Sequence, residues 1–190
     1  MQPQAIPYLT EEEYLEFERN SEIKHEYFDG EIFAMSGASE THNLIVVNVL
    51  GELRSQLKKR PCWVYPSDMR LKIETTKLYT YPDVMVVCGE RKFDDGHKDM
   101  LLNPDLIIEV LSDSTENYDR DKKFGHYRKI GSLKEYVLIS QNVPKIEKFV
   151  RAENYRWIFS ATDESITDMP LESVGCTLNL DEVYDKVYES

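Results

Sequence analysis

The sequence predicts an α/β (α+β) fold in which helices flank a mixed central β-sheet. Three observations lead to this prediction. A long amphipathic helix is indicated at residues 41–59, and apolar segments at 81–88 and 104–112 are typical of buried strands. A further helix and another buried strand then follow along the chain. Helices and strands in this order are expected to pack as layers on either side of one sheet.

The N-terminal region is predicted to add a short helix and a hairpin to this core. Thr10 and Glu13 form a capping-box pattern, in which the threonine caps the helix and the glutamate reaches back to it. The helix should end near Asn20. Asp29-Gly30 stands between aromatic and β-branched flanks, which is typical of a two-residue type I′ turn and predicts a β-hairpin within residues 25–35.

The remaining elements follow from periodicity and from breaker residues. The long helix carries apolar residues at helical spacing, namely Val46, Leu50, Leu53 and Leu57. The polar segment 90–103 indicates an exposed loop, and a helix is expected from residue 114 to about residue 130. The tail should form a short terminal helix. The predicted strands are residues 63–73, 81–88, 104–112, 135–140, 145–151 and 155–161.

Composition limits the classes of function. A chain of 190 residues with 41% hydrophobic and 31% charged residues fits one folded domain. Its net charge of −12 argues against a protein that coats nucleic acid or anionic membrane through bulk charge. The three cysteines, Cys62, Cys88 and Cys176, are odd in number and far apart, so we expect neither a disulfide framework nor a zinc site.

The same features predict where the protein works. The N-terminal segment lacks the basic start and apolar stretch of a signal peptide, and no apolar run is long enough to cross a bilayer. Cysteines that are not expected to pair are typical of a reducing compartment. We therefore expect a cytoplasmic protein with no membrane partner.

Two acidic residues stand in apolar strands. Glu109 lies within LIIEVL, and Asp83 follows Pro82 at the start of an apolar strand. Because a buried unpaired carboxylate costs roughly several kcal/mol, Glu109 must pair with a base, bind a cation or lie at a sheet edge. From spacing alone, a structural salt bridge or a partly solvated position is as well supported for Glu109 as a functional role. For Asp83 taken alone, a structural role as a strand-start acid is favoured. If neighbouring strands bring them together, the two carboxylates form an oxygen-rich site for Mg²⁺ or Mn²⁺.

The pattern of these segments resembles the PD-(D/E)xK nuclease superfamily and, more narrowly, the Uma2 (DUF820) family of restriction-endonuclease-like proteins. The matching segments are HEYFDGEIFAMSGASETHN, YPDVMVV, PDLIIEVLSDST and YDRDKKFGHYRKIGSLKEYVLI, in the family's order. The resemblance implies one restriction-endonuclease-like domain over residues 1–190. Its family-like core spans about residues 8–150, and C-terminal strands and a helix complete it at 144–190.

The chain departs from the superfamily pattern at one position. A lysine is expected two residues after the glutamate, but this position is Leu111. The resemblance implies a lysine that has migrated to the next helix, within DRDKKFGHY, where Lys123 takes the matching place. Asp119, Lys123 and Tyr127 stand at i, i+4 and i+8 and so share one face of a helix. The alternative is that Lys123 pairs with Asp119 on a solvated surface.

The resemblance also implicates two residues of the N-terminal half. Glu26 matches an acid that precedes the family's Asp-Gly turn and would be a third metal ligand; the alternative is an exposed hairpin residue. His42 opens the long helix, where the family often has a histidine that could contact a phosphate or assist proton transfer. A histidine held by the helix cap is the alternative.

Together these residues predict a divalent-metal-dependent phosphodiester hydrolase, an endonuclease acting on DNA. The expected catalytic residues are Asp83, Glu109, Lys123, Glu26 and His42, and the expected ligands of Mg²⁺ or Mn²⁺ are Asp83, Glu109 and Glu26. The aromatic content favours a homodimer or a higher homo-oligomer. The rival hypothesis is a catalytically inactive nuclease-like scaffold for binding or regulation, which Leu111 and the acidic net charge favour. A hydrolase of a small phosphoester is a third hypothesis.

Overall fold

The computed structural model describes residues 8–112, 116–163 and 165–188, and its main element is a six-stranded mixed sheet. The strands of this sheet are β3 (Cys62–Pro66), β6 (Val84–Cys88), β8 (Leu106–Leu111), β9 (Glu135–Ser140), β10 (Ile146–Arg151) and β11 (Trp157–Ala161). They lie in the order β11-β10-β9-β8-β6-β3. Only β8 and β9 are parallel to each other within this order, and the other neighbours are antiparallel.

A five-stranded sheet and a two-stranded ribbon complete the β-structure. The strands of the smaller sheet are β1 (His25–Phe28), β2 (Glu31–Ala34), β4 (Arg70–Ile73), β5 (Leu78–Thr80) and β7 (Met100–Leu101). Their order is β2-β1-β5-β4-β7, so the N-terminal hairpin forms one end of this sheet. The ribbon pairs β12 (Asp168–Leu171) with β13 (Cys176–Asn179).

In the described residues, five helices and one π-helical turn lie around the sheets. The helices are α1 (Glu11–Arg19), α2 (Glu40–Gln56), α3 (Glu116–Tyr118), α4 (Phe124–Tyr127) and α5 (Leu180–Val183), and the π-helical turn is Asp119–Lys123. Within the part of the chain that the structure describes, no helix is long and apolar enough to cross a membrane.

The predicted N-terminal additions are confirmed. The Glu13 N–H donates to Thr10 Oγ1 at 3.2 Å, and the Thr10 N–H donates to Glu13 Oε2 at 2.8 Å, so the capping box is complete. At the hairpin turn, Asp29 and Gly30 have φ angles of 49° and 89°. Both central residues of a type I′ turn need positive φ, and this turn therefore fixes the register of β1 against β2.

Two hydrophobic cores lie on opposite faces of the six-stranded sheet. Along β8, Ile108 and Val110 face the core that α2, α5 and the ribbon cover, whereas Ile107 and Leu111 face the core that includes Leu71 of the smaller sheet. Alternate side chains of a strand point to opposite faces. Glu109 therefore projects to the face of Ile107 and Leu111, in the direction of the smaller sheet.

Several sequence predictions were wrong in detail. The segment 63–73 forms two strands, β3 and β4, which belong to different sheets. The expected loop at 90–103 contains β7, and the ribbon was not predicted. The helix expected at 114–130 is broken into α3, the π-helical turn and α4; its residues 114 and 115 lie outside the described residues. The fully buried residues of α2 are Ile45, Val49 and Leu53, while Val46 and Leu50 are only partly buried against the core.

The expectation that the cysteines do not pair was also wrong. Cys62 and Cys88 form a disulfide, and Cys176 is buried and free. The two paired cysteines are 26 residues apart in sequence but directly opposite each other in the register of β3 and β6. Sequence distance gave no indication of this pairing, because it depends on which strands become neighbours in the sheet.

Candidate functional site

The two strand acids lie where the ladder between β6 and β8 ends. The last paired residues are Val84 and Ile108. Beyond them, the Val110 N–H donates to Asp83 Oδ2 at 2.8 Å, and the Asp83 N–H donates to Glu109 Oε2 at 3.1 Å. Each carboxylate thus accepts a main-chain hydrogen bond from the opposite segment. This exchange brings the two carboxylates together, as the sequence predicted, and holds them at the edge of the core.

Lys123 projects into this acidic cluster. Its ammonium Nζ lies 3.1 Å from Glu109 Oε1, 3.3 Å from Glu26 Oε1 and 3.5 Å from Asp119 Oδ1. The Lys123 residue is only 7% exposed, and Glu109 only 3%. The alternative of a solvated pair between Lys123 and Asp119 is therefore wrong: the pair exists, but it is buried and shared with two further carboxylates.

The π-helical turn places Lys123 and its neighbours. Tyr136, on β9, donates its hydroxyl to the main-chain carbonyl of Asp119 at 3.1 Å. One turn after Lys123, Tyr127 donates its hydroxyl to Glu109 Oε1 at 2.7 Å. A π-helical turn has one extra residue per hydrogen-bonded ring and is frequent at functional sites. Asp119, Lys123 and Tyr127 are all buried on the side that faces the sheet.

Glu26 joins the cluster from the hairpin, and His42 joins it from the start of α2. Glu26 accepts a hydrogen bond from the hydroxyl of Thr80 on β5, in addition to its ion pair with Lys123. His42 Nε2 lies 3.1 Å from Asp83 Oδ2. The α2 cap is also present, since the His42 N–H donates to Ser39 Oγ at 3.1 Å. The structure therefore brings all five predicted site residues together.

The cluster holds more acid than base. Four carboxylates, those of Glu26, Asp83, Glu109 and Asp119, face one ammonium and one imidazole. The pKa of Glu109 is raised to about 8. Burial is the largest cause of this rise; the Lys123 ammonium opposes it, and the charges of Asp83 and Asp119 add to it.

The two basic side chains respond to the same acids. Burial lowers the pKa of Lys123, but Glu109, Tyr127 and Glu26 raise it by more, so it lies well above its usual value and Lys123 stays charged. Burial likewise lowers the pKa of His42, but the hydrogen bond to Asp83 and the negative charges of Asp83, Glu109 and Asp119 together raise this pKa by more. The imidazole of His42 therefore takes a proton more readily than a histidine in water.

The donor chemistry of the cluster fits a hard divalent cation. Among the described residues, no three side chains of His, Cys, Asp and Glu stand in a metal-binding arrangement. The Lys123 ammonium contacts three of the acids in this cluster. Mg²⁺ commonly binds through one or two carboxylates together with waters and substrate phosphates. Asp83 and Glu109 satisfy that smaller requirement. In the described part of the chain, no residue donates a hydrogen bond to Asp83 Oδ1, whereas Asp83 Oδ2 contacts His42 and the Val110 N–H.

Sequence reasoning did not predict two hydroxyl contacts in the cluster, those of Tyr127 with Glu109 and of Thr80 with Glu26. Tyr127 was identified only by its place on the helix face, and Thr80 was not identified at all. The contact from Thr80 to Glu26 depends on the pairing of β1 with β5, across about fifty residues of chain. The sole local signal for Thr80 is its position in the strand that leads directly to Pro82-Asp83.

Comparison with known proteins identifies the family. The family model of Uma2, described as "Putative restriction endonuclease", matches residues 11–181. The chain belongs to the Uma2 family. Two relatives come from Synechocystis sp. (strain ATCC 27184 / PCC 6803 / Kazusa). "Uncharacterized protein sll1609" is 40% identical over 152 residues, covering 80% of this chain and 86% of the relative. "Uncharacterized protein slr1290" is 36% identical over 182 residues, covering 94% and 93%.

A solved structure shows the same fold for this Uma2 chain. The crystal structure of "a putative nuclease belonging to DUF820" from Anabaena variabilis superposes with a TM-score of 0.76 at 19% identity. The alignment covers 96% of this chain and 99% of the other. The predicted mixed α+β fold of the nuclease-like class is therefore confirmed.

Proposed function

We propose that this Uma2 protein is a divalent-metal-dependent phosphodiester hydrolase, an endonuclease whose substrate is DNA. The observation that carries the proposal is the buried cluster in which Asp83 and Glu109 exchange main-chain hydrogen bonds and Lys123 contacts Glu109. Two carboxylates and an ammonium at one sheet edge supply a cation site and a positive charge for a phosphate.

In this proposal, Asp83 and Glu109 would hold Mg²⁺ or Mn²⁺. Glu26, whose carboxylate contacts Lys123 and Thr80 in this structure, would have to turn toward the cation to act as a third ligand. A cation held by these carboxylates would supply a Lewis acid for the phosphate and would lower the pKa of a bound water. Tyr127 keeps Glu109 in place through its hydroxyl. Thr80 does the same for Glu26.

Lys123 and His42 act on the substrate. Lys123 stays charged in its buried position, so its ammonium can orient the attacking water or stabilise the negative charge that develops on the phosphate. His42, held against Asp83, is placed to contact a phosphate oxygen or to transfer a proton to the leaving oxygen. Both roles require the two side chains to face the edge where β6 and β8 separate.

The choice of DNA rests on the family. The Uma2 description names a restriction endonuclease, a class that cleaves DNA, and the structurally similar protein from Anabaena variabilis is described as a nuclease. The net charge of −12 does not oppose this choice, because a bound divalent cation makes a small cleft locally positive. We retain a homo-oligomer as part of the proposal, which light scattering of the purified protein tests.

The rival scaffold hypothesis depends on the missing lysine at position 111. An inactive scaffold has no need to keep a lysine beside the acids, whereas a migrated catalytic lysine must project toward them. Lys123 lies 3.1 Å from Glu109 and is buried rather than solvated. This placement supports the hydrolase over the scaffold.

The test is hydrolysis of labelled single-stranded DNA, duplex DNA and RNA with Mn²⁺ or Mg²⁺. We expect cleavage of DNA by the wild type, and at least about a hundredfold loss in Asp83→Asn and Lys123→Met. Asp121→Asn is the matched control, since Asp121 is an exposed acid on the same turn as Lys123. Equal activity of Asp83→Asn and the wild type would overturn the mechanism.

A further inference from the structure

The N-terminal hairpin presents an exposed aromatic ring beside the acidic cluster. Glu26 on β1 is paired directly with Phe33 on β2. Directly opposite residues of an antiparallel pair share one face of the sheet, with Cβ atoms about 4.5–5.5 Å apart. Phe33 therefore lies on the same face as Glu26, whose carboxylate is 3.3 Å from Lys123 Nζ.

The Phe33 ring is exposed and has no aromatic contact among the described residues, whereas the neighbouring Phe28 ring contacts another ring. Phe33 is 50% exposed, and it lies on β2, which is the edge strand of the five-stranded sheet. Phe28, on the same face of β1, packs edge-on against the ring of His126 with centroids 4.9 Å apart. Among the described residues, no aromatic ring packs against Phe33. Phe33 thus presents an exposed aromatic ring on the strand next to the one that carries Glu26.

We propose that Phe33 forms a nucleobase subsite of this active site, by stacking on a base next to the phosphate that is cleaved. This inference rests on the proposed function and adds a substrate requirement, namely that the phosphodiester must carry bases. Neighbouring strands are spaced about 4.8 Å apart, so Phe33 on β2 lies about one strand spacing from Glu26 on β1, toward the edge of the sheet. Base stacking on an aromatic ring tolerates any sequence, because every base has a π-face.

The stacking role predicts a preference for unpaired bases at this position. A base within an intact duplex already stacks on its neighbours, so stacking on Phe33 needs a single-stranded or locally opened substrate. Lys123 and His42 would bind the phosphate while Phe33 binds the base, and the two contacts together set the register of the strand. Phe33 is thus a positioning residue and makes no contribution to bond cleavage itself.

The experiment compares two polymers that have the same phosphates. One is a labelled 15-mer of thymidine, and the other is a 15-mer of abasic spacers. Binding is followed by fluorescence anisotropy, and hydrolysis is followed as KM and kcat, for wild type, Phe33→Ala and Phe33→Trp. Phe159→Ala is the matched control, since Phe159 is 54% exposed on β11, three strands away from β8.

We expect the wild type to bind the thymidine polymer at least about fivefold more tightly than the abasic polymer. Phe33→Ala should remove this difference by raising Kd and KM for the thymidine polymer alone, and Phe33→Trp should retain it. Phe159→Ala should behave as the wild type. Equal affinity of the wild type for both polymers, or an equal loss on both in Phe33→Ala, would overturn the inference.

The two proposals can fail separately. Hydrolysis of both polymers with equal KM would leave the hydrolase standing and reject the subsite. Tighter binding of the thymidine polymer that depends on Phe33, with no hydrolysis by any form of the protein, would support the subsite and reject the activity.

Discussion

Lys123 Nζ lies 3.1 Å from Glu109 Oε1, although the two residues come from different elements. Both are buried: Lys123 is 7% exposed and Glu109 is 3% exposed. Glu109 sits in the middle of the most buried strand, and Lys123 ends the π-helical turn that follows it. The superfamily pattern has the lysine on the strand itself, two residues after the glutamate. In this chain Leu111 occupies that position and packs in the core, and the ammonium reaches the glutamate from the next element.

Lys123→Met should destabilise the protein strongly. The substitution leaves Glu26, Glu109 and Asp119 without their shared cation, and loss of one partner of a buried ion pair typically costs about 3–5 kcal/mol. Urea unfolding without divalent metal measures the change in the free energy of unfolding. Lys122→Met is the control, because Lys122 is exposed on the same turn. Similar values for both variants would show that the cluster does not depend on Lys123.

Tyr127→Phe should lower both stability and activity. The change removes the hydroxyl that donates to Glu109 Oε1 at 2.7 Å, and leaving a buried polar group without its partner costs about 1–3 kcal/mol. Tyr14→Phe is the control: Tyr14 is also fully buried, and its hydroxyl donates at 2.7 Å to the carbonyl of His25, outside the cluster. Tyr14→Phe should therefore lose stability only. An active Tyr127→Phe protein would show that Glu109 needs no such support.

Glu147 should give a pH-dependent contribution to stability by anchoring the π-helical turn. Its carboxylate pairs with Arg120 of the turn and with Lys145. Burial raises the pKa of Glu147, but these two cations outweigh burial and place the pKa below its usual value. A lowered folded-state pKa stabilises the protein above the unfolded-state pKa, and this contribution is lost as pH falls through the folded-state pKa.

Glu147→Gln tests this contribution. We expect the variant to unfold about 1 kcal/mol more easily than the wild type at pH 7. The difference should shrink as the pH falls below about 4.5, and thermal melts between pH 7 and pH 3 measure it. A difference that is constant over this range would mean that charge at Glu147 plays no part.

The disulfide gives a prediction about reduction. Cys62 and Cys88 close a loop with a sequence separation of 26, and a disulfide over such a loop typically stabilises a protein by about 2–4 kcal/mol. A reducing agent should therefore lower the Tm of the wild type. The double variant Cys62→Ser, Cys88→Ser should have a low Tm that the reducing agent does not change. A wild-type Tm that is unaffected by complete reduction would contradict this expectation.

Local chemistry explains which parts of the fold the sequence could predict. The capping box at Thr10 and the turn at Asp29-Gly30 depend on a few adjacent residues, and both are present in the structure. The apolar run around Glu109 likewise predicted a strand that is buried on both faces. For the capping box and the turn, the neighbours in sequence are also the residues that make the contacts; for the strand, the length of the apolar run indicates burial on both faces.

Contacts between distant segments explain what the sequence could not predict. The helix expected after β8 is interrupted by a π-helical turn, whose carbonyl at Asp119 is bound by the hydroxyl of Tyr136 from β9. The cross-strand pairing of Cys62 with Cys88 depends on the register of β3 against β6. Within the site, Asp83 and Glu109 were found as acids in apolar strands, and Lys123 was found through the pattern of the family. Thr80 and Phe33 emerged only once the strand neighbours of Glu26 were known.

The most direct test of the central claim is calorimetric titration with Mn²⁺ and Mg²⁺. The wild type, Asp83→Asn and the control Asp121→Asn are compared, with and without a phosphorothioate oligonucleotide that can supply a phosphate ligand. We predict one saturable site in the wild type and in Asp121→Asn, and its loss in Asp83→Asn. Heats that do not depend on Asp83 under both conditions would contradict a metal site at Asp83 and Glu109, and with it the proposed mechanism.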